Sequence, residues 1–175
     1  MFAFVRFLFP WPLESENPGK FIFIWAGSIN NIDIRNGAGK ALSGKWAEGA
    51  RAYLGLMSAG FPNLFLITGP GSPSVLSNVV MAIEQHVDWI GGCIDHLLAQ
   101  EAALIDADVD AENAWVKEVN AIAAATLLPT ANSWYMGANI PGKPRVFMPY
   151  AGGLNSYRER CDRIAAEGYS GFRFG

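Results

Sequence analysis

The apolar residues of this chain fall into short continuous runs and into helical stripes, separated by stretches rich in glycine and proline. The clearest run, Leu-Phe-Leu-Ile-Thr at 64–68, lies between Asn63 and a Gly-Pro-Gly turn, as is typical of a strand covered on both faces. The aromatic and β-branched run at 21–25 predicts a second buried strand. Alternation of apolar and polar residues at 32–35 predicts a half-exposed strand or hairpin arm.

Three stretches show the spacing of three and four residues that marks an amphipathic helix. The first begins near Val75, after a turn whose Ser72 or Ser74 can cap it. The apolar stripe expected to face the core of this helix is Val75, Val79, Ile83, Val87, Ile90, Ile94 and Leu97. The second and third helices are predicted at about 110–127 and 153–167. The pattern therefore predicts an α/β fold that is mostly helical and has a few short strands.

The amino-acid composition limits the classes of protein to which the chain can belong. Apolar residues make up 51 % of the 175 residues and charged residues 17 %, which excludes intrinsic disorder. A net charge of −3 provides no basic surface for a phosphate backbone, so nucleic acid is not an expected partner. Two cysteines are too few for a disulfide framework and fit a reducing compartment such as the cytoplasm.

The apolar opening, residues 1–13, resembles a signal peptide only superficially. Arg6 interrupts the run, Pro10 and Pro12 end it, and no cleavage site of small residues follows. The run is also shorter than the roughly 20 apolar residues of a membrane span. Neither secretion nor a membrane partner is predicted.

Residues 39–45, Gly-Lys-Ala-Leu-Ser-Gly-Lys, match most of a phosphate-binding loop, in which backbone N–H groups and a lysine surround phosphates. Trp46 stands where the hydroxyl residue that holds Mg²⁺ should be, and no apolar strand leads into Gly39. The alternative interpretation is a polar hairpin.

The histidines and the pair of acidic residues in the first predicted helix give little indication of a metal site or of catalysis. His86 and His96 are ten residues apart, and neither has a second histidine or cysteine at metal-ligand spacing. Glu84 and Asp88 share a helix face, where like charges usually mark solvated surface rather than an acid/base pair. No metal is therefore predicted.

Two segments are more informative. The turn at 69–77 leads from the buried strand to a helix N-terminus, where open α/β sheets bind polar or anionic groups. A tight turn with capping serines explains the same residues, and both interpretations remain open. The stretch 129–150 has no sustained period and contains Trp134, as is typical of a functional loop.

At these residues the chain resembles the C-terminal part of Baeyer–Villiger monooxygenases of the cyclohexanone monooxygenase type. The motifs that carry the resemblance are GFPNLF at 60–65, TGPGSPS at 68–74, Asn78, IEQHV at 83–87, Trp89, Trp115-Val116, AAATL at 123–127, Ser133-Trp134-Tyr135, GANIPGKPRVFM at 137–148 and Gly168-Tyr169. They follow one another in the family's order. The resemblance covers about 32–175, whereas 1–31 departs from the family pattern.

The resemblance implies a portion of a flavoprotein with two dinucleotide-binding domains. Such enzymes bind FAD and NADP and use O₂ and NADPH to insert oxygen beside a ketone carbonyl, giving an ester or lactone. By position, Ser74, Val75 and Leu76 match the substrate-facing bulge, and Val79 matches a backbone contact to the flavin ring. Trp134 matches a loop tryptophan that reaches the nicotinamide cofactor.

The same resemblance shows which parts are missing. No Gly-x-Gly-x-x-Gly fingerprint occurs in the chain, and of the family signature Phe-x-Gly-x-x-x-His-x-x-x-Trp only Gly92 and His96 are reproduced. No catalytic residue is therefore assigned. We expect an incomplete monooxygenase that is inactive alone and exposes apolar surface at 64–68, where the upstream covering units are lacking. A non-enzymatic interaction module is the main alternative, and a phosphate-loop nucleotide binder is the other.

Overall fold

A computed structural model of the chain describes residues 3–5, 32–73, 77–127, 130 and 146–175, with only the backbone described at 3–5. In chain order, the elements are β1 (Ala3–Val5), α1 (Leu42–Lys45), β2 (Leu64–Leu66), α2 (Val79–Ala99), β3 (Ile105–Ala107), α3 (Val109–Ala124), α4 (Leu154–Ala166) and β4 (Phe172–Phe174). The predicted α/β class, mostly helical with a few short strands, is confirmed.

The strands form two small sheets. β1 pairs in parallel with β2, with Ala3 opposite Leu64 and Val5 opposite Leu66. β3 pairs antiparallel with β4, with Ile105 opposite Phe174. Every residue of β2 is buried, so the expected uncovered apolar surface at 64–68 is wrong for this strand. The strand predicted at 21–25 lies outside the described residues.

Helix α2 begins four residues later than the pattern suggested, and the predicted stripe is buried only in its later part, at Ile90 and Leu97. Asn78 caps it by accepting from the N–H of Val80 at 3.1 Å and of Met81 at 3.4 Å. Ser72 does not cap α2, because its buried hydroxyl donates to the Gly69 carbonyl. The buried residues of α2 are Ala82, Gln85, His86, Trp89, Ile90, Cys93 and Leu97, whereas Val79, Val80, Met81, Ile83 and Val87 are exposed.

Helices α3 and α4 follow the sequence pattern closely. Asp108 caps α3 by accepting from the N–H of Asp110 at 2.8 Å, and the helix ends at Ala124. Beyond α4, Gly168 takes the predicted left-handed conformation with φ of +73°, and its N–H donates to the Ala165 carbonyl. The observed α4 lies inside its predicted span, and α3 begins one residue before and ends three residues before the predicted 110–127.

The core is rich in aromatic side chains, and hydrogen bonds from their polar atoms join the elements. The fully buried Tyr157 of α4 donates its hydroxyl to the Leu54 carbonyl at 2.6 Å. Trp89 of α2 donates its indole N–H to the Cys161 carbonyl of α4 at 2.9 Å. Cys93 and Cys161 are both buried thiols, and burial raises the pKa of each to about 12. Among the described helices, none has both the length and the apolar character needed to cross a bilayer.

Candidate functional site

The turn that follows β2 is held by hydrogen bonds to two neighbouring segments, α3 and residues 146–150. The Gly71 N–H donates to the Met148 carbonyl at 2.7 Å, and the Gly71 carbonyl accepts from the Trp115 indole at 3.1 Å. The Ser72 carbonyl accepts from the N–H of Tyr150 at 2.9 Å. Tyr150 also stacks on Trp115, with ring centroids 5.4 Å apart. Backbone groups of Gly71 and Ser72 are therefore used inside the protein, which favours a structural role for the first half of the turn.

Glycine is required where this turn meets the preceding loop. A Cβ at Gly69 would lie 2.4 Å from the carbonyl oxygen of Gly55. A Cβ at Gly55, where φ is +72°, would lie 2.6 Å from the Cβ of Ser72. Both distances are too short for any side chain, so the two backbones approach each other as only glycine permits. This close approach fixes the path of the chain into α2.

The side chain of His86 on α2 is hydrogen-bonded to the end of the run predicted as a buried strand, residues 64–68. Its Nδ1 accepts the Thr68 N–H at 3.0 Å, so its proton lies on Nε2. The imidazole is fully buried, and burial lowers its pKa from 6.5 to about 4. No metal-ligand spacing involves His86 in the sequence, and in the structure its buried, neutral imidazole links α2 to the segment that follows β2.

The structure describes only one of the five residues matched to the family's binding site. Val79 is the first residue of α2, and its side chain is exposed. The cap bonds of Asn78 go to Val80 and Met81, so the cap does not use the backbone N–H of Val79. Ser74, Val75, Leu76 and Trp134 lie outside the described residues, so their roles stay predictions.

A buried carboxylate joins α1 to α3. Glu112 of α3 is 1 % exposed, and its oxygens accept from Lys45 Nζ at 2.9 Å and from the Ala59 N–H at 3.0 Å. The Ser58 hydroxyl also donates to Glu112, and Arg51 Nε lies 3.4 Å from it. Sequence reasoning missed this cluster, although Glu112 falls on the inward side of the predicted second helix.

The same contacts decide between the two interpretations of residues 39–45. Lys45, which would meet phosphate in a phosphate-binding loop, is instead paired with Glu112 and donates to the Ala59 carbonyl. Residues Arg35 and Ala41 form an antiparallel bridge, as in a hairpin. The polar hairpin is therefore the better account of this segment.

Neither the histidines nor the carboxylates of α2 form a catalytic cluster in the described part of the chain. Glu84 and Asp88 are exposed on the outer surface of the helix. His96 contacts Gln100 and the ring of Tyr169, far along the helix from His86. Among the described residues, no group of three histidine, cysteine, aspartate or glutamate side chains could hold a metal ion.

Comparison with curated proteins reveals clear relatives. The chain is 39 % identical over 147 residues to an acetone monooxygenase (methyl acetate-forming) from Gordonia sp. (strain TY-5), and 36 % identical over 146 residues to a cyclohexanone 1,2-monooxygenase from Acinetobacter sp.. A Baeyer–Villiger monooxygenase from Pseudooceanicola batsensis is 38 % identical over 144 residues. The first two matches cover 83 % of this chain but only 28 % and 26 % of the relatives. The chain thus spans about a quarter of their length.

Solved structures agree with the sequence matches. A cyclohexanone monooxygenase from Rhodococcus sp. Phi1 bound to NADP⁺ superposes with a TM-score of 0.81 at 34 % identity, covering 85 % of this chain and 28 % of that one. An oxidized steroid monooxygenase bound to NADP superposes with a TM-score of 0.75 at 47 % identity, covering 81 % of this chain and 26 % of that one. No protein-family model matches the chain.

Proposed function

The chain is related to the Baeyer–Villiger monooxygenases over about four fifths of its length, and from this relationship we propose that it forms one portion of an FAD- and NADPH-dependent monooxygenase. The observation that carries the proposal is 34–39 % identity shared with several such enzymes, together with matching folds. The proposed reaction is the oxidation of a ketone by O₂ and NADPH to an ester or lactone. The proposed location is the cytoplasm.

We propose that the matched residues lie where substrate and cofactors would meet. When bound, FAD would supply the oxygen chemistry, while the protein supplies orientation and electrostatics. We propose that the backbone at Val79 lies against the flavin ring, since the cap of α2 does not use this N–H and the helix start is exposed. Ser74, Val75 and Leu76 would then face the substrate, and Trp134 would contact NADP.

The residues of this chain could form the edge of a cofactor site, but they do not include the turn that binds the pyrophosphate of a dinucleotide. FAD and NADP are normally held by a glycine-rich turn whose N–H groups approach the pyrophosphate, and the chain contains no Gly-x-Gly-x-x-Gly sequence. Binding of either cofactor therefore depends on the remaining three quarters of the monooxygenase fold. We also propose that 32–175 is the monooxygenase portion and that 1–31 is a divergent N-terminal segment, since the resemblance to the family begins at about Ile32.

The 175-residue chain expressed alone should purify colourless and should not consume NADPH in the presence of cyclohexanone. The physical reason is the missing pyrophosphate site, which contacts to one side of the flavin ring cannot replace. Absorbance at the flavin wavelengths and NADPH oxidation measure the two properties. A yellow protein with stoichiometric FAD and ketone-stimulated NADPH oxidation would show that the chain is a complete enzyme.

Replacing Trp134 by Ala, in an assembly of this chain with the rest of the fold, should raise the KM for NADPH about tenfold or more while FAD stays bound. An aromatic ring packed on a cofactor contributes on the order of 1–3 kcal/mol. Trp134→Phe is the matched control and should keep most of the affinity. If NADPH use were the same in Trp134→Ala and in the unchanged assembly, Trp134 would be a structural anchor.

A second candidate function is an interaction module without enzymatic activity. It is favoured by the exposed apolar side chains on α2, which are typical of a surface that binds another protein segment. Reconstituting the chain with the remaining monooxygenase portion separates the two functions. Ketone-dependent NADPH oxidation by the complex supports the enzyme, whereas a stable complex without oxidation supports the module.

A further inference from the structure

Helix α2 is apolar on two sides, and only one of them is covered in the described part of the chain. Its inner side packs on α4 and the core through Trp89, Cys93 and Leu97. A second row, here called the outer stripe, consists of Val79, Val80, Ile83 and Val87, which are 37 %, 63 %, 37 % and 47 % exposed. Val80, Ile83 and Val87 are three, four and seven positions apart and therefore share one side of the helix, and Val79 lies one turn before Ile83 on its edge.

The outer stripe is unusual for the surface of this protein. Most other exposed large apolar residues among those described, such as Ile32, Leu104 and Leu127, are scattered over other elements. At 3.6 residues per turn the outer stripe adjoins the buried side, so apolar residues cover about half of the helix circumference, more than the roughly 100° stripe of an ordinary surface helix. An apolar face of that width is normally covered by a second layer of structure. The stripe therefore indicates a missing layer rather than solvated surface.

The comparisons indicate what that layer is. The related structures match this chain over only 26–28 % of their own length, although the matched part superposes well. The inner side of α2 is already occupied by this chain's own core, so the outer stripe is the apolar surface of the helix that remains for additional structure to cover. The stripe also starts at Val79, which places it next to the proposed flavin edge.

We propose that the outer stripe of α2 is the docking surface for the remainder of the monooxygenase fold, the flavin-binding portion that this chain does not match. This inference rests on the proposed function, since it takes its partner from the same family. It goes further by naming the helix face through which the two portions associate. Val79, Val80, Ile83 and Val87 become buried when that portion is present.

The test is co-expression of the full 175-residue chain with a truncated partner. The partner is the Acinetobacter cyclohexanone 1,2-monooxygenase from which the matching segment of about 146 residues has been deleted. An affinity tag on this chain captures the complex, and the amount of co-purifying partner and of bound FAD is measured. Analytical gel filtration of this chain alone records whether it associates with itself.

The variant that breaks the stripe is designed to keep α2 folded. Val80→Asp places an acidic residue in a first turn that has none, where the helix dipole favours it. Val87→Lys lies three residues after Glu84, at the spacing of a favourable pair. The double variant V80D/V87K leaves the net charge unchanged. Val109→Asp, at a similarly exposed valine that begins α3, is the matched control.

The unchanged chain and V109D should capture the truncated partner, and V80D/V87K should capture at least tenfold less, with equal helix content by circular dichroism. Equal capture by V80D/V87K, or no capture by the unchanged chain of a soluble partner, overturns the proposal. A dimer of this chain alone that V80D/V87K converts to a monomer assigns the stripe to a second copy and also overturns it.

If the truncated partner is insoluble in every co-expression, the docking surface is tested in a chimera instead. Residues 32–175 replace the matching segment in the Acinetobacter enzyme, and the soluble flavin-loaded yield is compared for V80D/V87K and V109D. A selective loss in V80D/V87K supports docking, and equal yields overturn it. A flavin-loaded complex that does not oxidise NADPH with cyclohexanone refutes the proposed function but leaves the docking surface in place.

Discussion

Replacing Glu112 by Ala should lower the free energy of unfolding by about 3–5 kcal/mol, the cost of removing one partner from a buried ion pair. The carboxylate is 1 % exposed and receives hydrogen bonds from Lys45, Ser58 and the Ala59 N–H. Its loss leaves the Lys45 ammonium, itself largely covered, without a counter-charge. It also leaves the Ala59 N–H without its acceptor. Urea unfolding followed by tryptophan fluorescence measures the change.

Glu118→Gln is the matched control for Glu112→Ala. Glu118 lies on the same helix and pairs with Arg160, but each side chain of that pair is about one third exposed. Such pairs contribute about 1 kcal/mol or less. Glu112→Gln should be less damaging than Glu112→Ala because the amide keeps an acceptor oxygen. Equal urea midpoints for the unchanged chain and Glu112→Ala would show that the cluster does not hold α1 against α3.

Acidification from pH 6.5 to pH 4 should remove about 3 kcal/mol of stability through His86 alone. Burial lowers the pKa of His86 in the folded chain to about 4, against an ordinary value of 6.5. Between these values the unfolded chain binds a proton that the folded chain does not, so stability falls as pH falls. At about 1.4 kcal/mol per pKa unit the full difference is reached near pH 4.

Carboxylates also titrate in this range, so the contribution of His86 is obtained as a difference between two proteins. Urea unfolding of the unchanged chain and of His86→Gln is measured from pH 7 to pH 4. His86→Gln should be the less stable protein at pH 7, and the gap should narrow by about 3 kcal/mol on acidification. His96→Gln retains His86 and should therefore keep the full loss. A gap that stays constant with pH would mean that His86 is accessible to protons when folded.

Helices α3 and α4 were predictable from the sequence because each has a single apolar stripe and clear end signals. Trp115 and Val119 mark the inner side of α3, and Gly168 ends α4. For α2 the pattern was ambiguous, since two apolar stripes adjoin and periodicity alone cannot tell which one meets the core. The predicted stripe combined Ile83 with Ile90, and the structure buries only the second of these, together with Trp89. Packing partners, rather than spacing, decide this choice.

The short strands and the buried polar groups were harder to predict. β3 and β4 have three residues each, too few for an alternating pattern to stand out. The pairing of Lys45 with Glu112 joins residues 67 positions apart, so no local spacing could reveal it. The resemblance to Baeyer–Villiger monooxygenases was predictable because the motifs lie in the family's order along most of the chain, and the sequence comparisons confirm that resemblance. The assignments of Ser74, Val75, Leu76, Val79 and Trp134 rest on that resemblance and remain proposals.

The reactivity of the two buried cysteines can be used to measure local opening of the core. Cys93 lies on α2 and Cys161 on α4, and the raised pKa of each keeps it in the unreactive thiol form. A soluble alkylating reagent can therefore modify a cysteine only while its helix is separated from the core. The rate of modification at each cysteine reports how often that thiol becomes accessible through local opening of the core. A portion of fold that docks on α2 would slow the reaction at Cys93 without touching the thiol itself.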